Sequence, residues 1–135
     1  MIMLNEKIKK TYKVFTGVTD VLQKQGIDID GVIEIFNNGI EQGTLLKIFD
    51  KYDPQVDICI WAYLPEEREV NNQMKIIIGH HCDCELNNMW KATIKEVTFT
   101  QNKARDLHDE VRKYVVDYIT SNFDKIIELR KEDEA

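Results

Sequence analysis

The sequence has few of the residues that break, cross-link or anchor a chain. Its 135 residues include two prolines and three cysteines, and no apolar run approaches the roughly 18 residues that a membrane-spanning helix needs. Three cysteines leave at least one thiol without a disulfide partner, which favours reduced thiols. The charged start of the chain lacks the apolar core of a secretory signal. These absences predict a cytoplasmic protein without membrane contact.

The motifs of the common enzyme classes are also missing. Ser121 is the single serine, and no glycine-rich elbow surrounds it, which excludes a serine triad. The six glycines match neither a phosphate-binding loop nor a dinucleotide fingerprint. The run Asp28-Ile29-Asp30-Gly31 has its glycine too early for a calcium-binding loop. We therefore expect that the protein is not an enzyme.

Negative charge is the dominant positive feature, and it is concentrated in the middle of the chain. The formal net charge is −6, and residues 27–73 carry ten acidic side chains against Lys47, Lys51 and Arg68. Nucleic-acid affinity depends on clustered cations, so direct nucleic-acid binding is not expected. An acidic surface of this kind either keeps a protein in solution or attracts a basic partner.

The composition, with 43% apolar residues, is typical of a globular domain. No linker or repeat divides the chain, so residues 1–135 are predicted to form one domain, with 131–135 as a frayed tail. Apolar residues at a spacing of three and four predict a helix over 4–25 that ends at Gly26. Residues 31–52 predict either one kinked helix or two helices, the second capped by Thr44.

From residue 56 the apolar period changes to two, which is typical of strands. Strands are predicted over 56–64, 74–81 and 90–99, joined as an antiparallel meander that pairs Ile78 with Ile94 and carries a bulge near Glu96. Residues 101–131 predict a long helix, unless Thr120-Ser121-Asn122 breaks it. The predicted fold is therefore α+β: N-terminal helices, a three-stranded antiparallel β-meander and a long C-terminal helix.

One face of the predicted meander suggests an interface. It carries Trp61, Tyr63 and Ile77, which Phe99 joins beyond the bulge. Helices on the other face alone would leave this face exposed as an apolar patch, which commonly marks a protein interface; helices divided between both faces would cover it. The adjacent loop adds the acidic residues Glu66, Glu67 and Glu69.

A second candidate site lies in the run His80-His81-Cys82-Asp83-Cys84. In an extended strand His80, Cys82 and Cys84 project from the same side, and imidazole and thiolate are ligands that suit zinc. The spacing differs from the usual paired-cysteine knuckle, and no second pair follows. Zinc binding is thus the alternative hypothesis, beside small hydrophobic thiols at a hairpin end. A small-molecule pocket near Trp90 and His80 is a third.

Taken together, the sequence favours a small acidic protein-binding module that acts by contact without catalysis. Inhibitors, immunity proteins, chaperones and adaptors belong to this class. The expected partner is another protein or a second copy of the chain, and no cofactor is expected unless zinc binds.

Overall fold

The computed structural model describes residues 6–37, 42–52, 57–64, 72–79 and 93–134. The elements within them are α1 (Glu6–Phe15), α2 (Val18–Lys24), β1 (Ile29–Asn37), β2 (Gln42–Asp50), β3 (Asp57–Tyr63), β4 (Asn72–Gly79), β5 (Thr93–Gln101) and α3 (Ala104–Glu134). The α+β class and the long C-terminal helix are confirmed. The predicted number of strands is wrong, because five are present instead of three.

The strands form one antiparallel sheet in the order β1-β2-β3-β4-β5. Each strand therefore pairs with its neighbours in the sequence, and β1 and β5 are the two outer strands. In β3 and β4 the predicted alternation holds: Ile60 lies opposite Ile78, while Trp61 lies opposite Ile77 on the other face. This alternation assigns every side chain of the sheet to one of two faces.

The predicted helices over 31–52 are wrong, since this segment contributes to β1 and β2. The reason is visible in β2, where the consecutive residues Leu45 and Leu46 are both buried although they lie on opposite faces. A strand covered on both faces loses its polar alternation, and its apolar run then imitates helical spacing. Thr44, predicted as a helix cap, is a buried strand residue opposite Ala62.

The N-terminal helix prediction is correct in kind but not in length. Gly17, with φ of +81°, separates α1 from α2. This left-handed conformation favours glycine, because a Cβ atom makes it costly. Gly26, with φ of +86°, follows α2 at the position where the sequence predicts the helix to end.

The predicted register of β4 and β5 holds at Gly79 and is displaced by one residue from Ile78 onward. Ile78 lies opposite Lys95 and Gly79 lies opposite Thr93, so Ile94 is the additional residue of a bulge. The bulge predicted near Glu96 is thus nearer the start of the strand. From Lys95 onward the register brings Phe99 opposite Met74.

Helix α3 is continuous over 31 residues, a length of roughly 46 Å. The polar residues Thr120-Ser121-Asn122 do not break the helix. Thr120 donates a hydrogen bond to the Gln25 side chain, and Asn122 donates one to the Tyr118 carbonyl, both at 2.9 Å. The helix continues through Glu134, and the frayed tail expected for 131–135 stays a prediction.

The main core lies between the three helices and one face of the sheet, which we call the helix-covered face. Helix α3 presents an apolar stripe every fourth residue, at Leu107, Val111, Val115 and Ile119. The other members of this core are Val14, Phe15, Val18, Leu22, Ile29, Leu46, Ile48, Ile58, Ile60, Ala62, Met74, Ile76, Ile78 and Phe123. Each large aliphatic side chain removed from water contributes about 1.5 to 3 kcal/mol.

Two threonine hydroxyls form a polar link within this apolar layer. Thr11 of α1 and Thr44 of β2 are fully buried, and their Oγ1 atoms lie 2.8 Å apart. Thr11 also donates to the Ile8 carbonyl at 3.0 Å, whereas the Thr44 hydroxyl is 3.5 Å from that carbonyl. The link fixes where α1 crosses the sheet, because buried hydroxyls need partners.

We expect Thr11→Val to lower the free energy of unfolding by about 1 to 2 kcal/mol, because it leaves Thr44 with only a long hydrogen bond. Thr44→Val should lower the free energy of unfolding by less, since the Thr11 hydroxyl still donates its hydrogen bond to the Ile8 carbonyl. The double variant should lose less than the sum of the single variants. Urea unfolding of all four proteins measures this, and strictly additive losses would show that the two hydroxyls are not coupled.

Gly43 gives a second stability prediction. A methyl group there would overlap the Ala62 carbonyl oxygen and approach the Phe36 ring. Gly43→Ala should therefore lower the free energy of unfolding by about 1 to 3 kcal/mol, measured by the same urea method. A loss near zero would mean that β2 and β3 can separate locally without cost.

Candidate functional site

The second face of the sheet carries three of the residues predicted as an interface. Trp61, Tyr63 and Ile77 are only 3%, 9% and 0% exposed, and they cluster with Leu45 and Cys59. The predicted exposed patch is therefore wrong. Within the described parts of the chain, all three helices pack on the other face. Lateral packing of cross-strand neighbours contributes to this burial: Trp61 lies between Leu45 and Ile77 in the register.

Phe99 belongs to the opposite face from the one predicted for it. It is partly buried against the main core, and its ring meets that of Tyr114 edge-on with centroids 5.0 Å apart. The position of the bulge explains this correction, since placing it at Ile94 sets the side-chain parity of the rest of β5. Phe99 and Trp61 thus lie on opposite faces of the sheet.

An ion pair borders the buried cluster of the second face. Lys75 and Glu96 form a salt bridge, and the Lys75 ammonium lies 5.7 Å from the centre of the Tyr63 ring. The hydrogen bond with Glu96 raises the pKa of Lys75, and partial burial opposes that rise. Both side chains retain solvent contact, so the pair stabilises the fold by less than about 1 kcal/mol. Its role here is structural.

The remaining predicted site residues lie outside the described residues: the acidic Glu66, Glu67 and Glu69, and the His80, Cys82 and Cys84 group. Within the described residues, no group of three or more His, Cys, Asp or Glu side chains is arranged to hold a metal. The Cys59 side chain has no exposed surface, so its thiol is not accessible as a nucleophile. The zinc site and the small-molecule pocket near Trp90 stay predictions.

The His108 side chain contacts both α1 and a neighbouring residue of α3. Its Nε2 atom lies 3.1 Å from the Lys13 carbonyl of α1, and its Nδ1 atom lies 3.3 Å from an Asp109 carboxylate oxygen. The imidazole therefore bridges α1 and α3. This arrangement holds two helices together and leaves neither ring nitrogen directed at an open site.

An open groove of about 760 Å³ runs between β5 and α3. We call it the β5–α3 groove. Its lining residues are Val97, Thr98, Phe99, Thr100, Asp109, Glu110, Lys113, Tyr114 and Asp117. Three of these are acidic and one is basic, so the groove has a negative balance of charge. It follows an outer strand of the sheet and is bounded on one side by a helix.

Phe99 and Tyr114 form the aromatic floor of this groove, and Tyr118 and Lys95 lie beside Tyr114, outside the groove lining. The Phe99 and Tyr114 rings are in contact, and the Tyr118 ring lies 6.0 Å from Tyr114. The Lys95 ammonium sits over both tyrosine rings, at 5.7 and 5.9 Å from their centres, which is the geometry of a cation–π contact. Burial raises the pKa of the Tyr118 hydroxyl, so that this tyrosine stays neutral.

The polar groups around the aromatic floor are unevenly satisfied. The Tyr114 hydroxyl oxygen is buried and has no hydrogen-bond partner among the described residues. The Glu110 carboxylate accepts a hydrogen bond from the Gln101 side chain at 3.0 Å, which ties the start of α3 to the end of β5. In this groove the Glu110 carboxylate is thus held by a hydrogen bond, whereas the buried Tyr114 hydroxyl has no partner among the described residues.

Sequence reasoning did not identify this groove, although part of its signal was present. Glu110, Lys113, Tyr114 and Asp117 follow the three- and four-residue spacing of one helical face. The spacing places them together on a helix but cannot show which strand lies beside them. Only the packing of α3 on β4 and β5 does so.

The zinc hypothesis leads to a direct measurement. Should His80, Cys82 and Cys84 bind zinc, the purified protein will contain about one zinc ion per chain by elemental analysis, and removal of zinc will lower the thermal midpoint. A Cys82→Ser/Cys84→Ser variant will then contain no zinc, while Cys59→Ser serves as the matched control and will retain it. Zinc well below one ion per chain, with an unchanged midpoint in chelator, rules the site out.

No helix among the described residues has the length and apolar character needed to cross a bilayer. Comparison of the chain with protein-family models, with curated proteins and with solved structures gives no match.

Proposed function

We propose that this protein is a non-catalytic protein-binding module, and that its β5–α3 groove receives a basic, extended segment of a partner protein. The observation that carries the proposal is the combination of acidic rim and aromatic floor along an outer strand. Each of these features recognises a different part of a peptide. The acidic rim attracts cationic side chains of the peptide, and the aromatic floor contacts its apolar or cationic side chains. The outer strand forms hydrogen bonds with the peptide main chain.

Charge complementarity supports a basic partner. Asp109, Glu110 and Asp117 outnumber Lys113 in the groove, and the whole chain has a net charge of −6. Opposite charge on a partner increases the rate of association and excludes acidic competitors. The same field opposes the phosphate backbone of a nucleic acid. A cationic protein segment is therefore the ligand that fits best.

The aromatic floor adds a specific indication. Lys95 places its ammonium group over the rings of Tyr114 and Tyr118. This contact within the chain supports the proposal that a side-chain cation can bind beside these rings. A lysine or arginine from a partner would make the same kind of contact farther along the groove.

The open form of the groove favours a peptide over a small molecule. Small-ligand sites usually enclose most of the ligand surface in a concave pocket. The β5–α3 groove instead has an open side along an outer strand, which suits an added strand that hydrogen-bonds through its main chain. In this binding mode alternate side chains of the partner would face the helix or the solvent.

A peptide-display selection tests the proposal. Immobilised wild-type protein should enrich peptides rich in Lys and Arg, and affinity should fall as salt is added. An Asp109→Lys/Asp117→Lys variant should weaken the selected peptides by at least about tenfold, equivalent to 1.4 kcal/mol. Fluorescence anisotropy of a labelled selected peptide provides the measurement.

The matched control is an Asp20→Lys/Asp28→Lys variant. It changes the net charge of the protein by the same amount, and both positions are exposed and lie outside the groove. Equal weakening by the two variants would show that the peptide responds to net charge alone, and the groove would lose its assigned role. Enrichment of acidic or uncharged peptides would contradict the proposal altogether.

A further inference from the structure

The opposite edge of the sheet has a different character. Strand β1 is an outer strand of nine residues that pairs, among the described residues, with β2 alone. It contains no proline and no lysine, the residues with which proteins commonly block an exposed sheet edge. Its charged residues are both acidic, Asp30 and Glu34.

The direction of the main-chain groups of β1 follows from two hydrogen bonds. The Lys51 amide donates to the Asp28 carbonyl at 3.1 Å, so the even-numbered residues direct their main-chain groups toward β2. The Ile29 carbonyl instead accepts from the Gln23 side chain at 2.9 Å. Because the pattern alternates in an antiparallel pair, Gly31, Ile33 and Ile35 direct their amides and carbonyls toward the open edge.

The side chains at this edge are apolar on both faces. Val32 on the second face is 44% exposed, and Ile35 on the helix-covered face is 45% exposed. The charged residues of β1 are Asp30 and Glu34, both on the second face. The Asp30 carboxylate accepts the Gly31 amide at 3.2 Å, a long and exposed bond that another acceptor can replace.

We propose that β1 pairs with β1 of a second copy of this chain, antiparallel and about a two-fold axis at Ile33. Such an axis relates each residue to another on the same face, so the residue numbers of every opposed pair add to 66. Ile29 then lies opposite Asn37 of the second copy. The main-chain hydrogen bonds between the copies are made by Gly31, Ile33 and Ile35, while the Ile29 amide and carbonyl keep their bonds within the chain. The two sheets join into one sheet of ten strands.

The acidic residues select this register. A shift that centres the pair on Val32 places Asp30 opposite Glu34, and a shift that centres it on Glu34 places the two Glu34 residues opposite each other. Like charges directly opposite are destabilising in a sheet. With the axis at Ile33, Glu34 faces Val32 and Asp30 faces Phe36. The register centred on Ile33 therefore gives the longest overlap of the two strands and also keeps the acidic residues from lying opposite each other.

Shape is also complementary in this register. Ile35 lies opposite Gly31 of the second copy, so an exposed branched side chain meets a residue without one. On that side a Cβ atom at Gly31 would contact Thr19 of α2, which means that α2 crosses the strand there. The exposed Ile35 of each copy is thus placed beside α2 of the other, where its apolar surface is covered.

The arrangement is independent of the proposed function. The β5–α3 groove lies at the other outer strand, so a dimer through β1 leaves both grooves open. Two copies of the groove on one continuous sheet would bind a repetitive basic partner with increased avidity.

Disulfide trapping with two single-cysteine additions tests the register. Both are made in a Cys82→Ser/Cys84→Ser background, in which the remaining Cys59 is fully buried. Val32→Cys and Glu34→Cys lie at exposed positions, and in the proposed pair residue 32 of one copy faces residue 34 of the other at a Cα separation of about 4.5 Å. Equal residues are offset along the strand, beyond the roughly 7 Å reach of a disulfide.

The expected result is a disulfide-linked dimer when the two variants are mixed and oxidised, and none when either is oxidised alone. Cross-linking of Val32→Cys alone, or of Glu34→Cys alone, would assign one of the shifted registers and overturn the proposal. Absence of cross-linking in all three samples, with folded protein by circular dichroism, would overturn β1 pairing itself.

Sedimentation equilibrium of the unmodified chain gives a second readout. Ile35→Glu should raise the dimer dissociation constant at least about tenfold, equivalent to 1.4 kcal/mol. The matched control is Tyr52→Glu, which changes another exposed hydrophobic residue, 76% exposed, outside β1, and should leave dimerisation unchanged. A monomeric wild-type protein at high concentration, or equal effects of both variants, would contradict the proposal.

Discussion

The structure depends on the burial of one face of the sheet beneath three helices. The stripe of α3 from Leu107 to Ile119 meets the isoleucines of β3 and β4, and α1 covers the adjoining part of β2 and β3. This apolar contact provides most of the driving force for the fold. The buried hydrogen bond between Thr11 and Thr44 adds direction, because it specifies one position of α1 on the sheet.

The same packing gives the two outer strands different environments. Helix α3 lies along β5 and places its acidic and aromatic residues beside that edge. The helices over β1 leave Ile35 half exposed, and α2 crosses the strand at Gly31. One edge therefore combines acidic and aromatic side chains, whereas the other exposes apolar side chains beside two acids. An open antiparallel sheet has two such edges, and both need to be paired, covered or protected.

The titratable and reactive groups that are described mostly serve the fold. His108 connects α1 to α3, Lys75 pairs with Glu96, and Cys59 is enclosed in the second face. Groups engaged in this way have fixed partners, which suits stability more than proton transfer.

The sequence by itself determined the mixed helical and stranded class, the alternation in β3 and β4, the left-handed glycine at the end of α2 and the long final helix. These features depend on local periodicity and on single residues such as Gly26. The tertiary structure decided what local patterns cannot express. Burial of Leu45 and Leu46 on opposite faces made a strand resemble a helix, and the bulge at Ile94 set the face of Phe99. The β5–α3 groove arises only because α3 lies beside β5, since a helical face does not specify its neighbour.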